Sequence, residues 1–261
     1  MTSPYTPKVA LCFLVYDRIV QESIWNSWLA GQGDYYSVYI HSKDPLQINM
    51  PDVKYQVIPR VPTGWGTLGI VNAELKLFET ALEQHTNVKL ILVSGDCVPI
   101  KPAWHVYNEL IATPKSMIEF AHHGQVFPRY DSLKAHFDRA NIVKHSQWVA
   151  LSRKHASYLV MKMDTISELF ADTAIPDECV FGTMLMDAGE ATNLIVGPGT
   201  MYVDWERGDP YRFTVIRPVE FTRMIESPEY FARKFSVLAH ISDGSTRQSL
   251  ADALRSGGIL P

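Results

Sequence analysis

The sequence predicts an α/β fold in which helices flank a mostly parallel, Rossmann-like central sheet. Two dense apolar runs, at residues 9–15 and 89–93, are typical of strands buried on both faces. Segments with helical spacing alternate with these and other strands, which is the order of parallel α/β units. With 261 residues, 46% of them hydrophobic and 20% charged, the chain has the composition of an ordinary globular protein. We expect one domain that spans residues 1–261.

The first half of the chain alternates strands and helices. The clearest helix has apolar residues at Val71, Leu75, Phe78 and Leu82, at spacings of four, three and four. The patterns predict strands at residues 9–15, 35–41, 54–58 and 89–93, and helices at 19–29, 71–82 and 103–111.

The second half continues with shorter elements. Pro176 is expected to open a helix, because its missing N–H costs nothing in the first helical turn. We predict that residues 122–139 form a polar loop with one short helix. Beyond residue 236, the pattern predicts one peripheral helix and a frayed end. The patterns predict strands at 117–121, 147–151, 193–196 and 201–203, and helices at 154–163, 176–186 and 248–255.

Charge and cysteine content narrow the class of protein. A formal net charge of -4 argues against general binding to nucleic acid or to an anionic membrane. The three cysteines, Cys12, Cys97 and Cys179, are isolated and form no CxxC pair, which favours buried thiols in a reducing compartment. No run of 18 apolar residues occurs, and the N-terminus lacks a hydrophobic signal core. We therefore expect a cytoplasmic protein without an integral membrane segment.

Three carboxylates are candidates for chemistry, each with a structural alternative. Asp177 and Glu178 follow Pro176, where acidic residues commonly stabilise a helix N-terminus, but an apolar helix face would also hold them rigidly at a pocket edge. Asp96 follows a strand end, where it is either a turn aspartate or a ligand-facing residue, because ligands collect at the carboxyl ends of parallel strands.

The metal-binding motifs of nucleotide-sugar enzymes are missing. No Asp-x-Asp pair occurs, and Asp204-Trp205-Glu206 is only close to one. The adjacent His122 and His123 would point in different directions on regular secondary structure, so they are poor joint ligands. There is also no Walker loop, GxGxxG, GxSxG or HExxH motif. We expect no metal ion.

Without a metal, fixed cations would have to stabilise a leaving diphosphate. Arginine can do so through two parallel hydrogen bonds and lysine as a point charge. Arg217, before a proline, and Lys234, between Phe231 and Phe235, fit this role by pattern. The alternative is that both are surface cations whose stems pack on aromatic neighbours.

Six stretches of the chain match the motifs of one protein family in the same order, and together they cover about residues 8–236. They are VYIH (38–41), WGTLGIVNAELKLFETAL (65–82), LILVSGDCVPIKP (90–102), HSQWVALSRKHA (145–156), IPDECVFGTML (175–185), and VDWERGD (203–209) with FARKFS (231–236). Together they resemble the core-2/I-branching N-acetylglucosaminyltransferases and the peptide O-xylosyltransferases, with their plant and microbial relatives.

The resemblance implies a GT-A type glycosyltransferase fold and a specific reaction. That reaction is inverting, metal-independent transfer of a sugar, GlcNAc or xylose, from a UDP-sugar to a glycan hydroxyl, which forms a β-linkage. The partners would be a UDP-sugar donor and a glycan acceptor, with no cofactor. The family's catalytic base is the glutamate of its Pro-Asp-Glu motif, which falls on Glu178.

The resemblance also assigns substrate contacts. The diphosphate-binding residues fall on Lys234 and, with looser alignment, on Arg217, for which Arg223 or Arg212 could substitute. Trp205 would lie near the sugar or acceptor. Further substrate contacts are expected in the matched stretches at Trp65, Asp96, Asp177 and Arg233. One departure is Lys43, which stands where the family often has an aspartate facing the nucleoside.

Two other functions fit the sequence. One is a non-catalytic nucleotide-sugar-binding or glycan-binding protein on the same fold. The other is a metal-dependent nucleotide-sugar transferase or hydrolase with Asp96 or Asp204 as a ligand.

Overall fold

The computed structural model describes residues 5–121, 128–207 and 209–261. His122, His123 and the rest of residues 122–127, the start of the expected polar loop, lie outside the described residues. The later part of that loop contains the expected short helix, a 3-10 helix at Asp131–Ala135.

The described residues form thirteen strands and eight α-helices. The strands are β1 (Lys8–Val15), β2 (Tyr36–Ser42), β3 (Tyr55–Val57), β4 (Asn87–Ser94), β5 (Val98–Pro99), β6 (Ser116–Met117), β7 (Ala150–Ser152), β8 (Leu194–Ile195), β9 (Met201–Val203), β10 (Phe213–Ile216), β11 (Phe231–Arg233), β12 (Phe235–Ser242) and β13 (Arg247–Ser249). The helices are α1 (Glu22–Leu29), α2 (Leu68–Glu83), α3 (Ala103–Ala112), α4 (Arg153–Met161), α5 (Met163–Leu169), α6 (Val180–Asp187), α7 (Pro218–Glu226) and α8 (Leu250–Ser256).

Seven strands form the central sheet, in the order β3-β2-β1-β4-β7-β6-β8. The neighbours β3, β2, β1 and β4 are parallel, and β7 alone runs antiparallel to both strands beside it. The central strands β1 and β4 are almost wholly buried, as their continuous apolar runs require. This mostly parallel sheet with its helices confirms the predicted fold class.

A small sheet, β5-β11-β9, is fixed to the central sheet through an aromatic cluster. Phe231 of β11 packs against Trp25 and Trp28 of α1, and Trp25 packs on Phe13 of β1. The indole N–H of Trp25 donates to the carbonyl oxygen of Cys97 at 2.9 Å, so this large buried ring also satisfies its polar atom. The packing of Phe231 therefore fixes the backbone that leads into Arg233 and Lys234.

The other small sheet, β10-β12-β13, corrects the expectation for the end of the chain. β12 continues beyond residue 236 to Ser242, β13 follows it, and α8 begins only at Leu250. Both strands depend on pairing with partners distant in sequence or across a turn, which local apolar periodicity does not reveal.

Two predicted helices are interrupted. The helix expected at 154–163 breaks at Lys162 into α4 and α5. The helix expected at 176–186 is a 3-10 turn at Pro176–Glu178, followed by Cys179 with φ -147° and then by α6. Among the described residues, no helix is both long and apolar enough to cross a bilayer.

Candidate active site

Asp96 lies at the edge of the sheet where β1, β2 and β4 all end, two residues after β4. Its Oδ1 accepts a hydrogen bond from the Ser94 hydroxyl at 2.6 Å. Its carbonyl oxygen accepts from the backbone N–H of Phe235 at 2.8 Å. The second bond brings Arg233 and Lys234 to this edge, the usual ligand-binding edge of parallel sheets.

Three cations gather around Asp96. An Arg233 Nη2–Asp96 Oδ1 contact measures 3.3 Å, and an Arg212 Nη2–Asp96 Oδ2 contact measures 3.9 Å. The Arg233 guanidinium also lies 4.7 Å from the centre of the Trp148 ring. Burial lowers the pKa of Lys234, and the positive charge of Arg233 lowers it further, while Asp96 opposes this. Asp209 is a second carboxylate that acts on Lys234. Three cations thus face two carboxylates, so the cluster retains positive charge and suits an anionic ligand.

Arg217 lies in a different setting from Lys234. It precedes the first residue of α7, its guanidinium contacts Glu220 at 2.8 Å, and its side chain is 66% exposed. Pairing of Phe213 with Phe235 places Lys234 beside Arg212, at the opposite end of β10 from Arg217. Arg212 and Arg217 are five residues apart along this strand, which separates their backbones by about 16 Å. In the structure, the backbones of Arg212 and Arg233 therefore lie next to that of Lys234, and the backbone of Arg217 does not. Arg223, the other substitute, pairs with Glu206.

Glu178 is held by an unusual turn. Ile175, just before the Pro176–Glu178 turn, has φ 51° and ψ 57°, a left-handed conformation that is rare for a β-branched residue. Its N–H donates to the carbonyl oxygen of Gly66 at 3.1 Å, and its carbonyl oxygen accepts from the Tyr130 hydroxyl at 3.2 Å. Such strain costs about 1–3 kcal/mol and persists where neighbouring groups enforce it, commonly at functional sites.

The Glu178 carboxylate contacts two cations that the sequence did not identify. Arg129 Nη1 lies 3.0 Å and Lys144 Nζ 3.2 Å from Glu178 Oε2. The side chain is 28% exposed, and within the described ranges no hydrogen bond reaches Oε1. One oxygen is thus fixed and the other is available to a ligand. Lys144 directly precedes the matched stretch at 145–156, whereas Arg129 lies in a loop without a recognisable pattern.

A short segment, residues 145–148, connects the carboxylate to the cations. The His145 N–H donates to the carbonyl oxygen of Glu178 at 2.7 Å, and Trp148 lies under Arg233. Three residues of chain span at most about 11 Å. The backbone of His145, bonded to that of Glu178, and the backbone of Trp148, whose ring contacts Arg233, are therefore no farther apart than this.

The remaining candidates are divided between the two ends of this site. Trp65 is exposed and directly precedes Gly66, which bonds to the turn before Glu178. Trp205 is exposed after β9, and within the described part of the chain it has no hydrogen bond to Glu178 or Lys234. Asp177 is only 7% exposed; burial raises its pKa to about 6, and the charge of Glu178 adds to that rise.

No group of three or more His, Cys, Asp or Glu side chains close enough to hold a metal ion occurs in residues 5–121, 128–207 or 209–261. Asp204 instead forms an ion pair with Arg207 at 3.6 Å, and Asp96 pairs with Arg233. Metal independence stays a prediction for a titration to decide.

The sheet order and the charged groups at its edge define the class of the protein as an α/β protein with a GT-A-like fold. The sequence model for the Core-2/I-Branching enzyme family matches residues 9–225, and the chain belongs to this family, as its motifs predicted. It is also similar to glycosyltransferase BC10 of Oryza sativa subsp. japonica, with 26% identity over 175 residues, covering 63% of this chain and 43% of that protein. The chain thus matches less than half of the length of this relative.

Proposed function

We propose that the chain is an inverting glycosyltransferase that moves GlcNAc or xylose from a UDP-sugar to a glycan hydroxyl without a metal ion, forming a β-linkage. One observation carries the proposal: a partly exposed carboxylate, held through one oxygen, and a cluster of cations are joined by residues 145–148. Membership of the Core-2/I-Branching family and similarity to the rice glycosyltransferase BC10 support sugar transfer as the class of reaction.

Glu178 acts as the general base in this proposal. Its free Oε1 accepts the proton of an acceptor hydroxyl while that oxygen attacks the anomeric carbon, and the bond from that carbon to the diphosphate oxygen breaks. Arg129 and Lys144 hold Oε2, which orients the carboxylate before substrate arrives. Attack opposite the leaving group inverts the anomeric centre.

The cations at the other end stabilise the departing UDP. Lys234, Arg212 and Arg233 place positive charge where the diphosphate gains negative charge, which lowers the barrier without a divalent ion. Arg217, which follows the last residue of β10, remains a second candidate for this role because the family resemblance assigns it to the diphosphate. Trp65 and Trp205, both exposed, are proposed to contact the sugars.

The base assignment is tested with Glu178→Gln, which keeps the size of the side chain and removes its basicity. We expect transfer to fall by at least about a hundredfold while UDP affinity changes little, because Glu178 does not touch the cation cluster. Glu168→Gln, at an exposed position of α5, is the matched control and should behave as wild type. Near-normal turnover of Glu178→Gln would refute the assignment.

Donor and metal are tested together by calorimetry with a panel of UDP-sugars, with EDTA and with Mn²⁺. We expect a UDP-sugar to bind and be turned over equally in both conditions. Activity that EDTA abolishes and Mn²⁺ restores would contradict the metal-independent reaction.

We also propose that the protein acts in the cytoplasm. The three cysteines are all free and buried, which suits a reducing compartment. Fractionation of the producing cell, with the chain detected by antibody, tests this directly.

A further inference from the structure

A cavity that the proposed reaction does not use lies between the start of α3 and the end of α7. Its volume is about 400 Å³, within the range of small-ligand sites. Its wall includes one exposed aromatic ring, one cation and two carboxylates, which belong to Trp104, Lys101, Glu109 and Glu226. The chain therefore offers a second concave surface with both apolar and polar groups.

Trp104 supplies an aromatic surface that the packing of its helix does not require. The residues of α3 that face the core are Ala103, Val106 and Leu110. Trp104 lies off this face and is 65% exposed. Its ring meets that of His105 at right angles, with the ring centres 5.8 Å apart. A large indole surface thus remains open to a ligand at the wall of the cavity.

Two of the polar groups in the wall are held in place by other residues. Glu109 Oε2 accepts a hydrogen bond from the Tyr230 hydroxyl at 3.2 Å, and Tyr230 is only 4% exposed. The Lys101 ammonium donates to the carbonyl oxygen of Ile225. The carbonyl oxygen of Lys101 accepts from the indole N–H of Trp28 at 2.8 Å. Groups that are fixed before a ligand arrives lose less conformational freedom when they bind it.

The charges at the cavity disfavour an anionic ligand. Glu109 and Glu226 line it beside a single ammonium group, that of Lys101. Glu229 is a third carboxylate that acts on Lys101. Burial lowers the pKa of Lys101, and the three carboxylates oppose this change. A phosphate or nucleotide would meet net negative charge, whereas a cation would lie beside the Lys101 ammonium and be repelled by it. The charges therefore favour a neutral, polar ligand.

We propose that this cavity binds a sugar residue of a glycan. A pyranose ring has an apolar face that packs on an indole and a rim of hydroxyl groups, each of which both donates and accepts. Glu109 and Glu226 accept from these hydroxyls. The Trp104 indole N–H donates to them, and so does Lys101, because an ammonium has three N–H donors and the bond to Ile225 uses one.

Sugar binding at this cavity is independent of the proposed reaction. Neither Glu178 nor Lys234 lines the cavity, and binding there needs neither a donor nor turnover. A chain that binds sugar at Trp104 but transfers none would refute the proposed function alone. A chain that transfers sugar without this binding would refute only the cavity site.

Two-dimensional NMR of the isotope-labelled chain tests the site. The indole N–H signal of Trp104 is the one that Trp104→Phe removes. Diacetylchitobiose, xylobiose and cellobiose are each titrated to about 20 mM without donor, and we expect at least one to shift this signal with a Kd of about 1 mM. Trp104→Ala should weaken binding at least about tenfold. Met161→Ala, which truncates a 76% exposed side chain on α4, is the control and should bind as wild type.

The polar wall is tested with Glu226→Gln, which should raise the Kd about threefold to tenfold because an amide oxygen is a weaker acceptor than a carboxylate. Three results would overturn the proposal. The first is no shift of the Trp104 signal by any of the saccharides. The second is a shift with choline but with no saccharide, which would make the ligand a cation. The third is a saccharide that binds Trp104→Ala as tightly as wild type, which would place the sugar elsewhere.

Discussion

Lys234→Ala should weaken UDP binding through the diphosphate alone. Lys234 is partly buried, and within the described ranges no ion pair occupies its ammonium group. A hydrogen bond to a charged group contributes about 1.5–3 kcal/mol, so its loss should raise the Kd for UDP by about tenfold to 150-fold. Uridine lacks the diphosphate, and its affinity should change less than about twofold.

Arg217→Ala provides the comparison that tests this reasoning. The Arg217 guanidinium already pairs with Glu220 and is 66% exposed, so its charge is screened and partly neutralised. Its removal should cost less than about 1 kcal/mol, or about fivefold in Kd. Isothermal calorimetry with UDP and uridine measures both variants, with Lys162→Ala, an exposed lysine between α4 and α5, as control. A larger loss from Arg217→Ala than from Lys234→Ala would refute the assignment of the diphosphate site to the Asp96 cluster.

Two further predictions concern stability. Burial lowers the pKa of Lys89 to about 8, so the unfolded chain binds more protons from about pH 8 to 10.5 and wild-type stability should rise across that range by about 3 kcal/mol. Lys89→Met should lack this rise. At pH 7 it should be more stable than wild type by about 2 kcal/mol, because the loss of the hydrogen bond to the Lys115 carbonyl offsets part of the gain. Urea denaturation at several pH values measures both effects. Gly182→Ala should cost about 1–3 kcal/mol and reduce kcat, because a methyl group there would lie 2.6 Å from Val143 Cγ2 and 2.8 Å from His145 Cδ2. Denaturation midpoints and turnover check it, and wild-type values for both would contradict it.

The central sheet was predictable because its strands are buried on both faces. β1 and β4 were placed within one or two residues, since a continuous apolar run of that length has few other interpretations. The break at Cys179 was not predictable. Pro176 followed by two acidic residues is the normal start of an α-helix. The left-handed Ile175 that turns the chain instead depends on Gly66 and Tyr130, which are distant in sequence.

The site was predictable to the extent that its residues belong to recognisable motifs. Order in the sequence led to Glu178, Asp96 and Lys234, but it did not say which arginine lies beside Lys234. Arg217 was favoured because it precedes a proline and aligns loosely with the family's diphosphate-binding cation, whereas the register of β10 with β12 places Arg212 beside Lys234. Register is set by pairing between strands, and a single sequence does not contain it.

Residues 145–148 connect the two parts of the chain that act on one ligand in the proposed reaction. His145 bonds to the Glu178 backbone, Gln147 bonds to the buried acid Glu74, and Trp148 supports the Arg233 guanidinium. The segment leads directly into β7, which pairs with β4 in the centre of the sheet. A rigid sheet therefore sets the separation between base and cations before any ligand binds. Such preorganisation lowers the cost of aligning an acceptor hydroxyl with a leaving diphosphate. The left-handed turn at Ile175 then directs the Glu178 side chain at a distance from the cations that the sheet already sets.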